Sequence, residues 1–371
     1  MSLRIIIVGG SIGGLFAATL LHRAGFDVRV RERSVHGLEG RGAGLVAQQE
    51  VFAMLREVGR DHLAQFGVTA HERIYLDRAG EVIQRHHMPQ TQLSWDVLFR
   101  TFRQIFPADR YEGGRNVVGI EHENAGVAIR FADGTRERAD VIIGADGIGS
   151  QVRPAVVGGQ SRPNYVGYAT WRGLVSEQAM PKRAAQTLFE RFAFYEMPGS
   201  HILGYLVPGA DGSVEPGHRR YNWVWYRRYS EQEIASVLTD VEGKVHPFSL
   251  APPQVTRDAA NSLHADAARL LPVAFAEAVG AEPHPFVHAI FDYSAPRMVA
   301  NGIVLMGDAA FVARPHTAMG VAKAAGDAFA LRDAFTSHDD PAAALAAYER
   351  ARFEIDRAVV NYGVRLGSAL K

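Results

Sequence analysis

The stretch that decides the fold is LRIIIVGGSIGGLFAATLLHRAGFDVRVRE, residues 3–32. Its first part, Leu3 to Val8, is almost wholly apolar, which is typical of a strand buried on both faces. A glycine-rich turn follows, and the apolar spacing from Leu15 to about Ala24 predicts a helix. A second strand then ends at Glu32. The segment is therefore predicted to form a strand, a glycine turn, a helix and a parallel strand.

The glycine turn has the spacing of a dinucleotide fingerprint, with Gly9 and Gly14 at its first and third glycine positions. Ser11 stands at the second position, where the backbone normally approaches a pyrophosphate, and its small side chain could donate a hydrogen bond to a phosphate. Glu32 lies where an acid accepts hydrogen bonds from an adenosine ribose. The pattern predicts an adenine dinucleotide without deciding which one.

Two more apolar runs end in acidic turns. Asp140–Ala145 is followed by Asp146, and Ile303–Met306 is followed by Gly307 and Asp308. Ligands of open α/β sheets bind at the carboxyl ends of parallel strands, so both carboxylates are candidate ligand contacts. Turns of this kind also occur in ordinary α/β cores, and a purely structural role is the alternative.

The last acidic turn leads into a loop containing Pro315 and His316, and a helix is predicted from Gly320 to Phe335. The free N–H groups and positive dipole end of that helix suit an electron-rich oxygen or a developing anion. Pro315 and Gly320 are therefore candidate cofactor contacts.

Three arginines are further candidates for contacting the cofactor. Arg33 follows Glu32, and Arg41 lies in a glycine-rich loop that could cover a flat ligand. Arg100 lies on a helix predicted from Ser94 to Phe106. For Arg41 and Arg100, a side chain that simply faces solvent is the alternative.

The chain changes character from Tyr168 to Tyr229, where helical periodicity fades and short alternating segments predict an antiparallel sheet. The predicted strands are Tyr168–Val175, Arg191–Tyr195, His201–Val207 and Tyr221–Tyr226. His201 and Tyr205 share one face of their strand and would form a polar pair in an otherwise apolar pocket. Ordinary residues of a sheet core are the alternative.

Composition excludes several classes of function. The 371 residues are 47% hydrophobic and 22% charged, with 40 basic and 40 acidic side chains, so nothing marks a nucleic-acid or anionic membrane surface. The chain has no cysteine, which excludes disulfides and thiolate metal sites, and no metal site is expected. No apolar run is long enough to cross a bilayer. A cytoplasmic location is the expectation.

The glycine fingerprint with Glu32, the turn at Asp146 and the turn at Asp308 together resemble the FAD-dependent aromatic hydroxylases of the p-hydroxybenzoate hydroxylase type. The resemblance covers nearly the whole chain and is greatest to members that hydroxylate a pyridine diol, through residues 168–173, 94–96, 307–310 and 314–316. It implies an α/β fold with a Rossmann-like FAD-binding domain (1–72, 93–165 and 288–335). An inserted antiparallel-sheet substrate domain (73–92 and 166–287) and a C-terminal helix (341–371) complete the expected fold.

The resemblance also implies roles for individual residues. Gly9, Ser11, Gly14 and Glu32 would hold the ADP half of FAD. Asp308 would hydrogen-bond the ribitol, the backbone near Gly320 would face the flavin N1–C2=O edge, and Asp146 would support flavin and nicotinamide binding. The chain departs from the family at Trp95, where many members have arginine, and Arg100 is the predicted substitute. It departs again at Phe311, where many have histidine.

By the same resemblance the enzyme would use NADH or NADPH as a transient co-substrate, together with O₂, to hydroxylate a phenol or a hydroxylated pyridine through a flavin C4a-hydroperoxide. His201 is the predicted base, Tyr205 would orient the substrate, and His316 is the rival base. The alternatives are a flavin-dependent halogenase or reductase of the same fold, or a non-enzymatic escort protein. A homodimer is the expected assembly.

Overall fold

The computed structural model describes residues 3–35, 38, 44–65, 67–123, 126–159 and 161–370, so the predicted contact at Arg41 lies outside the described residues. The α-helices in this part of the chain are α1 Ile12–Arg23, α2 Gln49–Glu57, α3 Trp95–Ile105, α4 Arg153–Val157, α5 Lys182–Leu188, α6 Glu231–Val237, α7 Arg257–Leu270, α8 Val273–Gly280, α9 Gly320–Ser337 and α10 Pro341–Leu366. The strands are β1 Arg4–Val8, β2 Asp27–Arg31, β3 Gly44–Val46, β4 Val68–Leu76, β5 Val82–Ser94, β6 Tyr111–Glu112, β7 Val117–Glu123, β8 Gly126–Phe131, β9 Arg136–Ala139, β10 Val141–Gly144, β11 Asn164–Ser176, β12 Arg191–Met197, β13 Ser200–Val207, β14 Arg220–Arg228, β15 Ser249–Leu250, β16 Phe286–Ser294, β17 Val299–Ala300, β18 Ile303–Leu305 and β19 Phe311–Val312.

The three apolar runs of the sequence are neighbours in one sheet, ordered β17-β18-β10-β1-β2-β6. Strands β18, β10, β1 and β2 run parallel, so the residues after them meet at one edge. Their side chains are almost all buried, because helices such as α1 pack against the sheet and α9 packs on α1. The predicted α/β class and the four predicted strands of this parallel sheet are confirmed.

A larger sheet is ordered β15-β16-β11-β14-β13-β12-β4-β5-β3. All four strands predicted between residues 168 and 229 are present. An antiparallel sheet was predicted, but β12 pairs with β4 in parallel. It also extends further along the chain than predicted: β3, the start of β4 and most of β16 fall within the ranges predicted for the cofactor domain. These strands continue across the expected boundaries because their backbones find partners in the larger sheet.

One face of α10 is buried against the parallel sheet near the end of β18. Tyr348 is fully buried, and its hydroxyl donates to the carbonyl of Leu305 at 3.1 Å. The last turns of α10 reach the loop after β19, and Tyr362 in these turns lines a cavity there. No helix among the described residues is long and apolar enough to cross a membrane.

A buried charge network joins α9 and α10 behind the turn at Asp308. The Asp327 carboxylate accepts hydrogen bonds from the Gly307 N–H at 2.9 Å and from Arg352 Nε at 2.7 Å. Arg352 also donates to Asp356 at 2.6 Å, and Lys323 Nζ lies 3.7 Å from Asp327. Burial opposes ionisation, but Lys323 and Arg352 hold the pKa of Asp327 below its usual value.

Asp356 shows the cost of placing two carboxylates together. Burial and the neighbouring Asp327 carboxylate raise the pKa of Asp356 to about 8. In the unfolded chain an aspartate loses its proton near pH 4. Between these two values the folded protein holds a proton that the unfolded chain lacks. The contribution of Asp356 to stability is therefore complete below about pH 4 and is lost as the pH rises to about 8.

We predict that Asp356→Asn abolishes this part of the pH dependence, because the amide cannot ionise. Relative to wild type, the variant should gain stability progressively from pH 5 to pH 8.5 in thermal unfolding experiments. Asp333→Asn, on the exposed side of α9, is the matched control and should follow wild type. A constant difference between Asp356→Asn and wild type over this range would show that Asp356 does not titrate there.

Candidate active site

The turn after β1 requires glycine at both predicted positions. Gly9 has φ of +105°, and a Cβ there would lie 2.4 Å from the Ala145 carbonyl oxygen. A Cβ on Gly14 would lie 2.0 Å from the carbonyl oxygen of Gly9. Ser11 is the N-cap of α1, but its side chain makes no capping hydrogen bond. The turn thus leaves the Ser11 hydroxyl and the start of α1 available to a phosphate.

Glu32 is fixed at the end of β2 by two backbone groups. Its carboxylate accepts hydrogen bonds from the Gly10 N–H at 2.7 Å and the Ser34 N–H at 2.8 Å. Each carboxylate oxygen keeps a further lone pair, so the buried side chain can still accept from a hydroxyl group. Glu32 lines a cleft of about 310 Å³ together with Gly9, Ser11 and Arg33.

The Asp146 carboxylate stabilises the turn in which it lies. It accepts from the Ser150 hydroxyl at 2.5 Å and from the Gln151 N–H at 2.6 Å, and burial raises its pKa. The residue still lines the cleft. Arg153, on α4, donates to the carbonyls of Ala309 at 2.7 Å and Asp308 at 2.8 Å. It therefore links the two acidic turns predicted from the sequence.

Asp308 lies where three cavities meet. It lines the cleft beside Glu32, a second cavity of about 230 Å³ at the start of α9, and a third of about 560 Å³ against the larger sheet. Its carboxylate makes no hydrogen bond within the described chain. The side chain is open to these cavities. Burial by the surrounding protein still raises its pKa, and the positive charges of Lys323 and Arg153 partly oppose this rise. An ionised carboxylate held in this way is suited to accept hydrogen bonds from a ligand.

The three cavities form one trough. Ser11, Ala145 and Gly147 line both the first and the second cavity, and Gly320 and Val321 line both the second and the third. The first cavity is walled by the glycine turn and the acidic turns. The third, here called the ring pocket, lies between the aromatic face of the larger sheet and the loop that contains Pro315.

The ring pocket brings together the three predicted catalytic residues, His201, Tyr205 and His316. The His201 ring is stacked on Tyr226 with centroids 4.3 Å apart, and its centroid lies 5.5 Å from that of His316. The Tyr205 hydroxyl donates to the Gly44 carbonyl at 3.3 Å, and burial raises its pKa to about 12. Tyr205 is thus a neutral wall residue at neutral pH.

Both histidines are uncharged at neutral pH. Burial lowers the pKa of His201 to about 3, with a smaller contribution from His316. Burial, assisted by the positive charge of Arg314, lowers the pKa of His316 to about 4. Each ring is therefore a neutral imidazole with one N–H donor and one acceptor nitrogen.

His316 is the last member of a chain of polar contacts. Arg314 is held by Asp292, to which its Nε donates at 2.7 Å, and its Nη1 donates to the Tyr168 hydroxyl at 3.2 Å. The Tyr168 hydroxyl lies 3.4 Å from His316 Nε2, and either group can be the donor in this contact. His316 Nδ1 is buried without a partner among the described residues.

The structure separates Arg100 from the trough. Its guanidinium donates to the Ala210 carbonyl at 2.7 Å, and it lines none of the three cavities. Trp95, at the position where many family members have arginine, lines the second cavity instead. The predicted contact at Arg100 is therefore not supported, because α3 points this side chain towards the loop after β13.

Sequence reasoning missed two arginines of the ring pocket, Arg73 and Arg172. The sequence contained a signal for Arg172, because Tyr168, Thr170 and Arg172 share one face of β11. It contained none for Arg73, whose aromatic neighbours Phe192 and Phe194 come from β12 through the parallel pairing with β4.

Comparison with known proteins identifies the family. A family model described as FAD binding domain-like matches residues 165–292. The chain is 32% identical over 370 residues to the 2,6-dihydroxypyridine 3-monooxygenase of Paenarthrobacter nicotinovorans, covering 99% of this chain and 91% of that protein. It is 28% identical over 367 residues to a 3-amino-4-hydroxybenzoate 2-monooxygenase of Streptomyces platensis, covering 94% and 84%.

A solved structure gives the same result. The 2,6-dihydroxypyridine-3-hydroxylase from Arthrobacter nicotinovorans matches with a TM-score of 0.92 and 32% identity, covering 100% of this chain and 93% of that one. The chain belongs to the FAD-dependent aromatic monooxygenases. It is therefore a flavoenzyme, and the alternative of a non-enzymatic escort protein is set aside. The trough fits FAD, since it combines the glycine turn, which has no room for side chains, with an unpartnered carboxylate at Asp308.

Proposed function

We propose that the enzyme hydroxylates a pyridine diol or a phenol. One oxygen atom of O₂ replaces a ring hydrogen as a hydroxyl group, the other becomes water, and NAD(P)H supplies two electrons as it is oxidised to NAD(P)⁺. The observation that carries this proposal is the continuous trough, which leads from a dinucleotide-type turn past Asp308 into an aromatic pocket with two neutral histidines. The first two relatives named above act on such rings.

Different residues along the trough would bind different parts of the cofactor. The ADP half would be bound by the predicted set Gly9, Ser11, Gly14, Glu32 and Arg33. Asp308 would accept hydrogen bonds from the ribitol hydroxyls, and Pro315 and Gly320 would border the flavin ring. The flavin, when bound, supplies the electrons from NAD(P)H to O₂ and delivers the oxygen atom. The proposal also includes two domains, a cofactor domain that carries these residues and a substrate domain that carries the ring pocket. It further includes a homodimer and a cytoplasmic location.

The protein's own chemistry is to bind, orient and deprotonate the ring. His201 makes no hydrogen bond within the described chain, so its acceptor nitrogen is free to receive a hydrogen bond from a ring hydroxyl. Burial disfavours the charged imidazolium, but a negatively charged ring oxygen beside it would raise the pKa of His201 again and favour transfer of the proton. That proton transfer makes the ring more electron-rich and more reactive towards an electrophilic oxygen. His316, the rival base, lies beside His201 in the same pocket. The apolar walls at Phe192, Phe194 and Val224 exclude water from the ring.

We predict that Asp308→Asn has opposite effects on stability and on FAD binding. The amide removes a carboxylate whose ionisation is disfavoured by burial, so the FAD-free protein should melt at a slightly higher temperature. Its affinity for FAD should fall by about tenfold or more, because the ribitol loses a charge-assisted acceptor. Asp339→Asn, on the exposed segment before α10, is the control and should change neither. Unchanged FAD affinity in Asp308→Asn would remove Asp308 from the cofactor site.

We predict that His201→Gln lowers the rate of hydroxylation by about 100-fold or more while FAD still binds, which is the usual effect of losing a general base. His316→Asn retains an N–H donor and should mainly raise KM. Because the pKa of His201 is near 3, the wild-type rate should show no loss through this group down to pH 5. Product formation by each variant tests the assignment, and an unimpaired His201→Gln enzyme would contradict it.

The proposed function itself is tested in one cuvette. The purified protein should be yellow, and NADH or NADPH oxidation should accelerate when 2,6-dihydroxypyridine is added, with formation of a hydroxylated product. A yellow protein that responds only to phenols would support the proposed reaction and identify the substrate as a phenol rather than a pyridine diol. A yellow protein that hydroxylates no hydroxylated aromatic ring would reject the proposed function.

A further inference from the structure

Lys323 lies in the first turn of α9, and its side chain is fully buried. Its Nζ atom has no hydrogen-bond partner among the described residues, since the Asp327 carboxylate, 3.7 Å away, is too far for one. An ammonium group has three N–H donors, and burying a charge with its donors unused is costly. The contacts of Lys323 within the chain therefore do not explain why this residue is a lysine.

The position of Lys323 along α9 is also unfavourable for a cation. The N-terminal end of a helix carries a partial positive charge, which favours anions there and disfavours cations. Long side chains on a helix lean towards its N-terminus, so Lys323 adds its charge to the end of α9 that borders the trough. Gly320, Val321 and Ala324 of this helix end line the second cavity. Two sources of positive potential thus act together beside that cavity.

The buried cluster of Lys323, Asp327, Arg352 and Asp356 carries an excess of positive charge at neutral pH. Asp356 keeps its proton because its pKa is about 8, whereas the two cations lower the pKa of Asp327 and keep it ionised. Two positive charges therefore face one carboxylate. Ionisation of Asp356 above about pH 8 removes this excess.

The groups packed around the cluster do not cancel its excess charge. Asp308 and Arg153 contribute one charge of each sign at the acidic turn. Burial raises the pKa of Tyr348 and keeps its hydroxyl uncharged. Glu349 is turned towards the Met298 N–H, from which it accepts a hydrogen bond. One positive charge therefore remains behind the start of α9.

The charge of Lys323 acts on the trough. Among the charged neighbours of Asp308, Lys323 has the largest effect, and it opposes the rise in pKa that burial causes. The Asp308 side chain lines all three cavities. Charges interact more strongly in a protein interior than in water, because the effective dielectric constant is lower. A flavin ring bound between Asp308 and Gly320 would therefore lie in the field of Lys323.

We propose that Lys323 raises the reduction potential of the bound flavin by stabilising the negative charge that the ring gains on reduction. A hydride from NAD(P)H carries two electrons and one proton, so its transfer leaves one net negative charge on the flavin and releases NAD(P)⁺. Lys323 is fully buried behind the wall of the trough, so it acts through its electric field and not by contact. The inference rests on the proposed position of the flavin ring beside Gly320.

The test is the midpoint potential of the flavin in the FAD-loaded enzyme, measured without aromatic substrate by equilibration with a reference dye. Lys323→Met removes the charge and keeps a long, unbranched side chain in the buried site. Arg332→Met is the matched control. It removes a cation of the same helix that is paired with Glu57 and Asp333 and lines none of the three cavities.

In Lys323→Met the equilibrium constant for flavin reduction should fall by about tenfold or more, because a unit charge that acts through the protein interior is lost. For a two-electron couple this corresponds to a potential lower by about 30 mV or more. Arg332→Met should match wild type. A wild-type potential in Lys323→Met, or an equal decrease in both variants, would overturn the inference.

Asp356→Asn tests the same cluster with Lys323 in place, and it decides the question if Lys323→Met does not fold or does not bind FAD. The amide is uncharged at every pH, whereas Asp356 in wild type ionises above about pH 8. The two proteins should have equal potentials at about pH 6.5, and the variant should have the higher potential at about pH 9. Where Lys323→Met cannot be loaded with FAD, equal potentials at both pH values overturn the inference.

None of these measurements depends on hydroxylation. An enzyme that shows the expected potentials but hydroxylates no aromatic ring would keep the role of Lys323 and reject the proposed function. An enzyme that hydroxylates a ring, and whose Lys323→Met variant keeps the wild-type potential, would support the proposed function and overturn this inference.

Discussion

The hydrogen bond from the Gly307 N–H to the buried Asp327 carboxylate is the contact on which the site depends. It ties the end of β18 to α9, and Arg352 extends the link to α10. The turn is held from the other side by Arg153, which donates to the Asp308 carbonyl. These contacts satisfy the backbone around Asp308 and leave its side chain open to the trough.

The two ends of the trough follow different physical rules. At the glycine turn, steric exclusion decides, because a single Cβ at Gly14 would collide with the Gly9 carbonyl. In the ring pocket, electrostatics decides, because burial keeps both histidines neutral. The glycine turn suits a phosphate that lies close to the backbone, and the ring pocket suits an aromatic ring. A chain of polar contacts from Asp292 through Arg314 and Tyr168 leads to His316.

The residues that line the dinucleotide end of the trough could be found from the sequence, since glycine spacing and strand-end acids are local patterns. Gly9, Ser11, Glu32 and Asp308 all line the trough. The ring pocket was predicted only in part, because its walls come from strands far apart in sequence. Arg73 enters through the parallel pairing of β4 with β12, which no local pattern indicates. Arg100 lies on α3 as predicted, but helical periodicity does not decide which loop its side chain contacts.

The most direct test of the account is a crystal structure of the FAD-loaded enzyme with a hydroxylated aromatic ring bound. The account predicts the adenosine ribose at Glu32, the ribitol at Asp308 and the flavin ring beside Gly320. It further predicts a hydroxyl of the substrate within hydrogen-bonding distance of His201. A flavin that bypasses Asp308, or a substrate seated outside the ring pocket, would contradict it.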